Sequence, residues 1–209
     1  MAFDPYTPFH LRFYDAWVCG VSNHFIWRCP TREILDLYRV NMTANHLDAG
    51  VGTGYFLDRA RIPSRSPRVV LLDINESCLH ATARRLRRHL PETVRADVLA
   101  PLPDMPKFDS ISMTYLLHCL PGSMQSKAAV FDHLAPLLAA GGVLFGATVL
   151  RDAAKPNPFA RRLMALYNRL HVFDNDGDDA ATLRHALESR FASVELRIIG
   201  YVALFAVRV

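Results

Sequence analysis

The sequence predicts an α/β protein whose core is a mostly parallel, seven-stranded sheet with helices on both faces and a C-terminal antiparallel hairpin. The 209 residues are 51% hydrophobic and 21% charged, which is typical of a single globular domain that can bury its own core. Apolar runs of strand length alternate with segments of helical periodicity, and this alternation indicates βαβ units. Near the C-terminus two β-rich stretches are separated only by Gly200, and so short a connection indicates antiparallel strands.

Seven segments have the length and composition of β-strands. The first is short and ends in a glycine-rich run, whereas the second and the third each end in an aspartate. The fifth contains no charged residue, and the last two form the hairpin. The predicted strands are 45–49, 68–73, 93–97, 108–114, 142–149, 191–199 and 201–209.

Segments of helical periodicity lie between these strands at 53–62, 75–90 and 123–139. In the second of them a stripe with spacings of four, three and four residues is predicted to be buried, and it consists of Leu79, Ala83, Leu86 and Leu90. Four arginines fall off this stripe, namely Arg84, Arg85, Arg87 and Arg88. Such a cluster can bind nucleic acid, but a solvated helix face is the favoured interpretation.

Composition and charge exclude several classes of protein. Lys and Arg number 24 against 20 Asp and Glu, and the net charge of +4 is too small to indicate a nucleic-acid partner by itself. The four cysteines form no C-x-x-C pair, so neither a zinc site nor a disulfide framework is predicted, and no metal is expected. The N-terminal residues lack the features of a signal peptide. The uncharged stretch 134–150 contains Pro136 and two adjacent glycines, so no membrane span is predicted, and we expect a cytoplasmic protein.

The chain is expected to form one domain, 1–209, with two additions around an alternating core. The core is 43–150, and the final helix and hairpin occupy 181–209. The additions are an N-terminal helical lid, 1–42, and an insertion, 151–180, and both are predicted to cover the ligand site.

A glycine loop directly follows the first predicted strand. Gly50, Gly52 and Gly54 allow the backbone to turn sharply and to approach a ligand closely. Their G-x-G-x-G spacing differs from the G-x-G-x-x-G of dinucleotide-binding loops. Asp48 stands two residues before the first glycine, where a carboxylate would repel a pyrophosphate and attract a cation such as an amino group or a sulfonium. The loop therefore favours S-adenosylmethionine, which has both groups, over NAD, FAD or ATP.

Two further acids stand at the ends of the following strands. Asp73 ends the second strand, 19 residues after Gly54, where an acid accepts hydrogen bonds from ribose hydroxyls. Asp97 ends the third strand, where it would accept a hydrogen bond from an adenine amino group. Either residue has a simpler interpretation as a helix cap or loop residue. Three acids at the carboxyl ends of successive strands nevertheless point to one ligand site.

This arrangement resembles the class I S-adenosylmethionine-dependent methyltransferases over essentially the whole chain. The resemblance implies a Rossmann-like fold and S-adenosylhomocysteine as the product. It also implies that Asp48 and the glycine loop hold the methionine moiety, that Asp73 holds the ribose and that Asp97 reads the adenine. Further cofactor contacts are implied or expected at Ile74 and Val98, which would flank the adenine, at Thr114 and Leu116 after the fourth strand, and at Tyr55 beside the loop.

A narrower resemblance lies upstream. Tyr14-Asp15, Ser22 and Trp27-Arg28 stand in the order and approximate spacing of the ubiquinone/menaquinone-biosynthesis C-methyltransferases, whose N-terminal helices fold over the cofactor. The segment 153–179 departs from that branch. A small aromatic or polyketide-like metabolite is therefore at least as plausible an acceptor as a quinone.

Methyl transfer requires alignment of the acceptor and exclusion of water, and it requires a base only where the acceptor must lose a proton. His118, after the fourth strand, and His24, on the lid, are the candidate bases, although a packed His118 is an equally good interpretation. The candidate acceptor-binding residues are Tyr14, Trp27, His118, Tyr167 and Phe173. The alternatives are an RNA or protein methyltransferase that uses the Arg84–Arg88 face and a cofactor-binding protein without transferase activity.

Overall fold

A computed structural model describes residues 15–153 and 155–209, and it contains one seven-stranded sheet. The strands are β1 Asn45–Ala49, β2 Arg68–Asp73, β3 Glu92–Arg95, β4 Phe108–Thr114, β5 Leu138–Val149, β6 Ser193–Ile199 and β7 Val202–Arg208. Their order is β3-β2-β1-β4-β5-β7-β6. Neighbours from β3 to β5 pair in parallel, whereas β7 is antiparallel to both β5 and β6. The predicted fold class, including the C-terminal hairpin, is confirmed.

Eight helices surround this sheet in the described part of the chain. They are the π-helical α1 Ala16–Ile26, α2 Thr31–Asn41, α3 Tyr55–Ala60, α4 Glu76–Arg85, α5 Met124–Lys127, α6 Ala129–Leu134, α7 Pro158–Arg169 and α8 Ala180–Glu188. Short 3₁₀ turns lie at Arg87–His89, Leu117–Cys119 and Ala135–Leu137. None of the helices in the ranges described above is long and apolar enough to cross a lipid bilayer.

Each face of the sheet is buried in its own apolar cluster. Side chains alternate between the faces along a strand, so Leu71 belongs to one cluster and Val70 to the other. Phe145 and Leu144 are divided between the two clusters in the same way. The first cluster is completed by α2 and the second by α6 and α8. Because the central strands are covered on both sides, they are rich in apolar residues throughout.

Two predicted elements differ from the structure at their ends. β3 ends at Arg95, two residues before Asp97, because the chain turns there: Asp97 Oδ1 accepts the backbone N–H of Leu99 at 2.9 Å. β5 begins at Leu138, four residues earlier than predicted, and its register against β4 shifts between Phe108 and Ser110.

The predicted helix 75–90 is shorter than its periodicity suggests. α4 ends at Arg85, and the backbone of Leu86 leaves the helical region at φ −96° and ψ 16°. The predicted buried stripe therefore ends with the helix. Leu79 and Leu86 are buried, whereas Leu90 is 87% exposed and has a positive φ of 48°. The predicted helix 123–139 is likewise divided into α5, α6 and a 3₁₀ turn that contains Pro136.

Candidate cofactor and acceptor site

A cavity of about 270 Å³ opens at the carboxyl ends of β1, β2 and β4. This is the edge where open α/β sheets bind ligands. All but two of the residues predicted to bind the cofactor line this cavity, namely Asp48, Gly50, Gly52, Gly54, Tyr55, Asp73, Ile74, Thr114 and Leu116. The fold thus brings them together, while their individual contacts with a ligand remain predictions.

The glycine loop adopts a backbone that favours glycine at all three positions. Gly50, Gly52 and Gly54 have φ values of 71°, 52° and 70°, a region that other residues adopt only at a cost. A Cβ on Gly50 would lie 2.8 Å from Cδ1 of Leu116, and one on Gly54 would lie 2.6 Å from Cγ2 of Thr82. A Cβ on Gly52 would meet nothing within 4 Å. The outer glycines therefore permit close packing, and the middle one keeps the backbone open towards the cavity.

Asp48 is a buried carboxyl group on the cavity wall. It is only 4% exposed, and its Oδ1 accepts hydrogen bonds from the hydroxyl of Ser112 and, at 3.4 Å, from that of Tyr38. Burial raises the pKa of Asp48 to about 7, although the two hydroxyls act in the opposite direction. A cation placed beside this carboxylate would restore the interaction that burial removes. Sequence reasoning missed both partners, and only the alternation of Ser110 and Ser112 along β4 hinted at a polar face.

Asp73 supplies a second carboxyl group at the end of β2. Its Oδ1 accepts the backbone N–H of Asn75 at 2.8 Å, and burial raises its pKa. The helix cap that we considered as an alternative role for Asp73 belongs instead to Asn75, whose side chain accepts the N–H of Ser77 at 2.9 Å. Backbone hydrogen bonds from Val51, Gly52 and Ile74 also act on this carboxyl group and lower its pKa against the effect of burial. Asp73 lines the cavity beside the glycine loop.

The structure does not bring Asp97 or Val98 to the cavity. Asp97 is exposed on the turn after β3, where it caps the backbone of Leu99. Val98 is buried in the apolar core, and its carbonyl oxygen accepts a hydrogen bond from Nδ1 of His133 at 2.9 Å. Because β3 ends two residues early, the expected contact of these residues with adenine finds no support in the geometry.

The residue before the N-terminal helix is attached to the glycine loop by a hydrogen bond and to α4 by an ion pair. Asp15, which precedes α1 and lines the cavity, accepts hydrogen bonds of 2.5 Å from the hydroxyl of Thr53 and from Nη2 of Arg85. A second attachment joins the hydroxyl of Tyr115 to Oδ1 of Asn23 at 2.7 Å. The prediction that Arg85 faces only water was wrong, because its partner lies 70 positions away in the sequence.

Neither candidate base lines the cavity. His118 is 3% exposed, and its ring lies edge-on to Phe173 and Tyr115 at centroid distances of 4.3 and 5.5 Å. Its Nδ1 accepts the backbone N–H of Val149 at 3.2 Å, and burial lowers its pKa to about 3. These features identify a packed, neutral imidazole, which was the alternative interpretation. His24 is exposed on α1, beside the ring of Phe25.

The residues predicted to bind the acceptor form a neighbouring aromatic cluster instead. Trp27 and Phe173 are buried with ring centroids 5.9 Å apart, and Tyr167 lies 5.0 Å from Phe173. Tyr14 falls outside the described residues. The aromatic wall of the cavity is supplied by Tyr55, which was predicted, and by three residues that sequence reasoning did not select, namely Tyr38, Phe56 and Tyr115. Residues of this type showed no feature in the sequence that would separate them from core aromatics.

The lining of the cavity fits a cationic ligand. Among the described residues it includes Asp15, Asp48 and Asp73 but no lysine, arginine or histidine. The hydroxyls of Thr114 and Tyr38 lie in the same wall, and each can donate or accept a hydrogen bond. An ammonium, a sulfonium and hydroxyl groups would satisfy these acceptors, whereas a phosphate would be repelled.

Comparisons with known proteins show the family to which the chain belongs. A family model of a methyltransferase domain matches residues 47–144. The "Physcion biosynthesis cluster O-methyltransferase" of Aspergillus chevalieri is 41% identical over 207 residues, which cover 96% of this chain and 91% of that protein. The "N-methyltransferase vrtF" of Penicillium aethiopicum is 40% identical over 181 residues, or 86% of this chain and 76% of that protein.

Solved structures share the fold. The N-methyltransferase NodS of Bradyrhizobium japonicum WM9, in complex with S-adenosylhomocysteine, has a TM-score of 0.61 and 16% identity, and the match covers 85% of this chain and 84% of that one. Together with the extensive identity to named methyltransferases, this shared fold places the chain in a family. The chain belongs to the class I S-adenosylmethionine-dependent methyltransferases.

Proposed function

We propose that the protein transfers a methyl group from S-adenosylmethionine to a small aromatic or polyketide-like metabolite in the cytoplasm. The observation that carries this proposal is the cavity in which Asp48, Asp73 and the glycine loop face an aromatic wall, with no cationic side chain among the described lining residues. The relatives named above support a small-molecule acceptor. Because one is named as an O-methyltransferase and the other as an N-methyltransferase, the acceptor atom is left open. The resemblance to the quinone branch also stays a prediction.

Each part of the cavity has a role in this reaction. When bound, S-adenosylmethionine supplies a methyl group that is already activated by the sulfonium. The Asp48 carboxylate would hold the ammonium of its methionine moiety, and Asp73 would accept hydrogen bonds from its ribose. The rings of Phe56 and Tyr115, 6.0 Å apart, would orient a flat acceptor and exclude water. No described histidine is positioned as a base, so an acceptor that ionises readily or has a free lone pair fits best.

The proposal is tested by turnover. The protein is incubated with methyl-labelled S-adenosylmethionine and a panel of phenols, enolic lactones and aromatic amines, and formation of S-adenosylhomocysteine is measured against acceptor-free reactions. We expect product only with an acceptor. Binding of S-adenosylhomocysteine without turnover on any acceptor would favour a binding protein. Label in added RNA, with a steep salt dependence, would favour the Arg84–Arg88 alternative.

The two strand-end acids Asp73 and Asp97 provide a matched pair for testing the cofactor site. Asp73→Asn should weaken binding of S-adenosylhomocysteine about tenfold or more, because hydrogen bonds to a charged acceptor are stronger than those to a neutral one. Asp97→Asn should leave the affinity within about twofold, since Asp97 lies outside the cavity. Titration calorimetry of both variants measures this. Equal losses would show that Asp97 reaches the ligand after all.

We also propose that the segment 1–42 covers the bound cofactor and that the Arg85–Asp15 pair holds it closed. The pair is 29% and 20% exposed, so it is only partly screened by solvent. Arg85→Met should increase the dissociation rate of S-adenosylhomocysteine about fivefold, which corresponds to about 1 kcal/mol. Stopped-flow displacement measures the rate, and Arg84→Met, on the exposed face of α4, is the control. A similar increase in both variants would contradict the role of the pair.

A further inference from the structure

Beneath the cavity, polar side chains form a buried ladder across β1 and β4. The two strands are parallel neighbours in which His46 pairs with Ser110 and Asp48 pairs with Ser112. These four side chains share one face of the sheet because they alternate along their strands. His46, Ser110 and Ser112 have no solvent-exposed surface. Polar groups buried this deeply are costly unless every one of them is hydrogen-bonded.

The hydrogen bonds of this ladder have one direction when Asp48 is ionised. A carboxylate only accepts, so the hydroxyl of Ser112 must donate to Asp48. Ser112 has one proton to donate, so Nε2–H of His46 donates to it at 2.9 Å. Nδ1 is then the acceptor and receives the hydroxyl of Ser110 at 2.7 Å. Ser110 in turn accepts the backbone N–H of Thr43 at 2.9 Å, which completes the ladder.

The ladder is also fully satisfied in the opposite direction when Asp48 is protonated. Asp48 would then donate to Ser112, Ser112 to Nε2 of His46, and Nδ1–H to Ser110. The hydroxyl of Ser110 would turn to Oγ1 of Thr43, which lies at 2.9 Å. The two arrangements differ by one proton. This proton enters at the half-buried hydroxyl of Thr43 and is relayed to Asp48 through Ser110, the imidazole and Ser112, each of which receives one proton and passes one on. The relay leaves every hydroxyl with its proton and moves the imidazole proton from Nε2 to Nδ1.

The surroundings keep the imidazole neutral in both arrangements. Its ring lies 5.9 Å from that of Phe145, and burial lowers the pKa of His46 to about 3. Two other titratable groups influence Asp48 directly. The phenol of Tyr38, on α2, donates to it, and the carboxyl of Asp73, at the end of β2, raises its pKa. A neutral His46 can respond to the charge on Asp48 only by changing its tautomer.

We propose that His46 is a positioning residue whose tautomer is coupled, through Ser112, to the charge on Asp48. In the Nε2–H tautomer, His46 stabilises Asp48 as the carboxylate that receives the ammonium of the cofactor. The cofactor part of this inference rests on the proposed function, whereas the coupling itself is a property of the unliganded protein. Binding of a cation at Asp48 would select the Nε2–H tautomer, and protonation of Asp48 would select the other.

The test is a ¹⁵N NMR measurement of the His46 ring in the full chain labelled with [¹⁵N]histidine. Its signals are identified by their loss in His46→Gln. We expect a neutral ring throughout, in the Nε2–H form above about pH 8 and in the Nδ1–H form below about pH 6. Adding S-adenosylhomocysteine at about pH 6.5 should restore the Nε2–H form. An unchanged tautomer across this range, or a ring that becomes doubly protonated near pH 6.5, would overturn the proposal.

Ser110 and Ser112 are matched substitution sites with opposite expected effects. Ser112→Ala removes the hydroxyl that connects His46 to Asp48, so the tautomer of His46 should no longer change with pH. S-adenosylhomocysteine should also bind about tenfold more weakly near pH 7. Ser110→Ala leaves the Asp48 contact intact and would leave a buried Nδ1–H without an acceptor, which disfavours that tautomer. Ser110→Ala should therefore lower the pH at which the affinity for S-adenosylhomocysteine is half its maximum. Shifts in the same direction would indicate general loosening of the site and refute the coupling.

The unliganded measurements separate the two proposals. If the tautomer follows pH in the wild type and stays fixed in Asp48→Asn, the coupling holds even where S-adenosylhomocysteine does not bind. Failure to bind would then count against the proposed function alone. If the ligand binds and the tautomer does not respond to pH, the proposed function stands and the coupling is refuted.

Discussion

Asp48→Asn should weaken the binding of S-adenosylhomocysteine about a hundredfold at about pH 8, while the protein remains folded. The substitution keeps the shape of the side chain and an oxygen that can accept from Ser112 and Tyr38. It removes the charge opposite the ligand ammonium, and hydrogen bonds between charged groups in a buried site contribute about 2 to 3 kcal/mol. The loss should therefore appear in affinity and not in folding.

The same substitution should stabilise the unliganded protein at high pH. Burial raises the pKa of Asp48 from 3.8 to about 7, so the folded state binds this proton more tightly than the unfolded chain does. The stability that this provides is complete below about pH 4, is lost progressively as the pH rises towards 7, and is absent above it. Asparagine does not suffer this loss, and its advantage should reach about 4 kcal/mol at about pH 8 and vanish near pH 4.

Two measurements check these expectations. Calorimetric titrations between about pH 6 and 8 should show affinity rising with pH in the wild type, because Asp48 must be ionised, and a flatter profile in Asp48→Asn. Urea unfolding at about pH 4 and at about pH 8 gives the stability difference at its two extremes. Asp109→Asn, an exposed aspartate on the neighbouring β4, is the control and should change neither quantity. Wild-type affinity in Asp48→Asn would remove Asp48 from the ligand site.

The sequence alone predicts those features of the site that depend on local chemistry. The three glycines are needed wherever a loop of positive φ follows a strand, and the apolar runs locate the strands that carry Asp48, Asp73 and Thr114 to one edge. The roles of residues at the ends of strands were less predictable, because they depend on where each strand stops. Asp97 lies outside the cavity because β3 ends two residues early, a difference that periodicity does not resolve.

Partners that are distant in the sequence account for the remaining differences. Nothing near Arg85 indicates that it pairs with Asp15, and nothing near His118 distinguishes a packed imidazole from a base. Trp27 and Phe173 have the composition expected of an acceptor site, yet their apolar surface is buried against each other. The polar ladder under Asp48 follows from the register of β1 against β4, which becomes known only when the two strands are paired.

A second large effect is expected at the buried ion pair that attaches the segment before α8 to the core. Nζ of Lys127, at the end of α5, lies 2.7 Å from Oδ2 of Asp178, and neither side chain is exposed. Lys127 also donates to the backbone carbonyl of Asp174. Burial raises the pKa of Asp178 even though Lys127 acts to lower it. The charge of Asp178 is therefore tolerated only because its cation is present.

Lys127→Met should lower the free energy of unfolding by about 3 to 5 kcal/mol, because it leaves a buried carboxylate without its partner. Without the lysine the pKa of Asp178 rises further, so stability is lost as the pH increases, and the defect should be larger at about pH 8 than at about pH 5. Urea unfolding at the two pH values measures the size of the destabilisation and the sign of its pH dependence.

The double variant Lys127→Met/Asp178→Leu distinguishes an unpaired charge from a packing defect. Removing both charges should recover most of the lost stability, since apolar replacements of a buried pair are often neutral. Arg184→Met is the control, because Arg184 and Glu188 form an exposed pair on α8 and its loss should cost less than about 0.5 kcal/mol. If the double variant were as unstable as Lys127→Met alone, the lysine would stabilise the fold through packing and its contact with Asp174, and the charge of Asp178 would not be the cause.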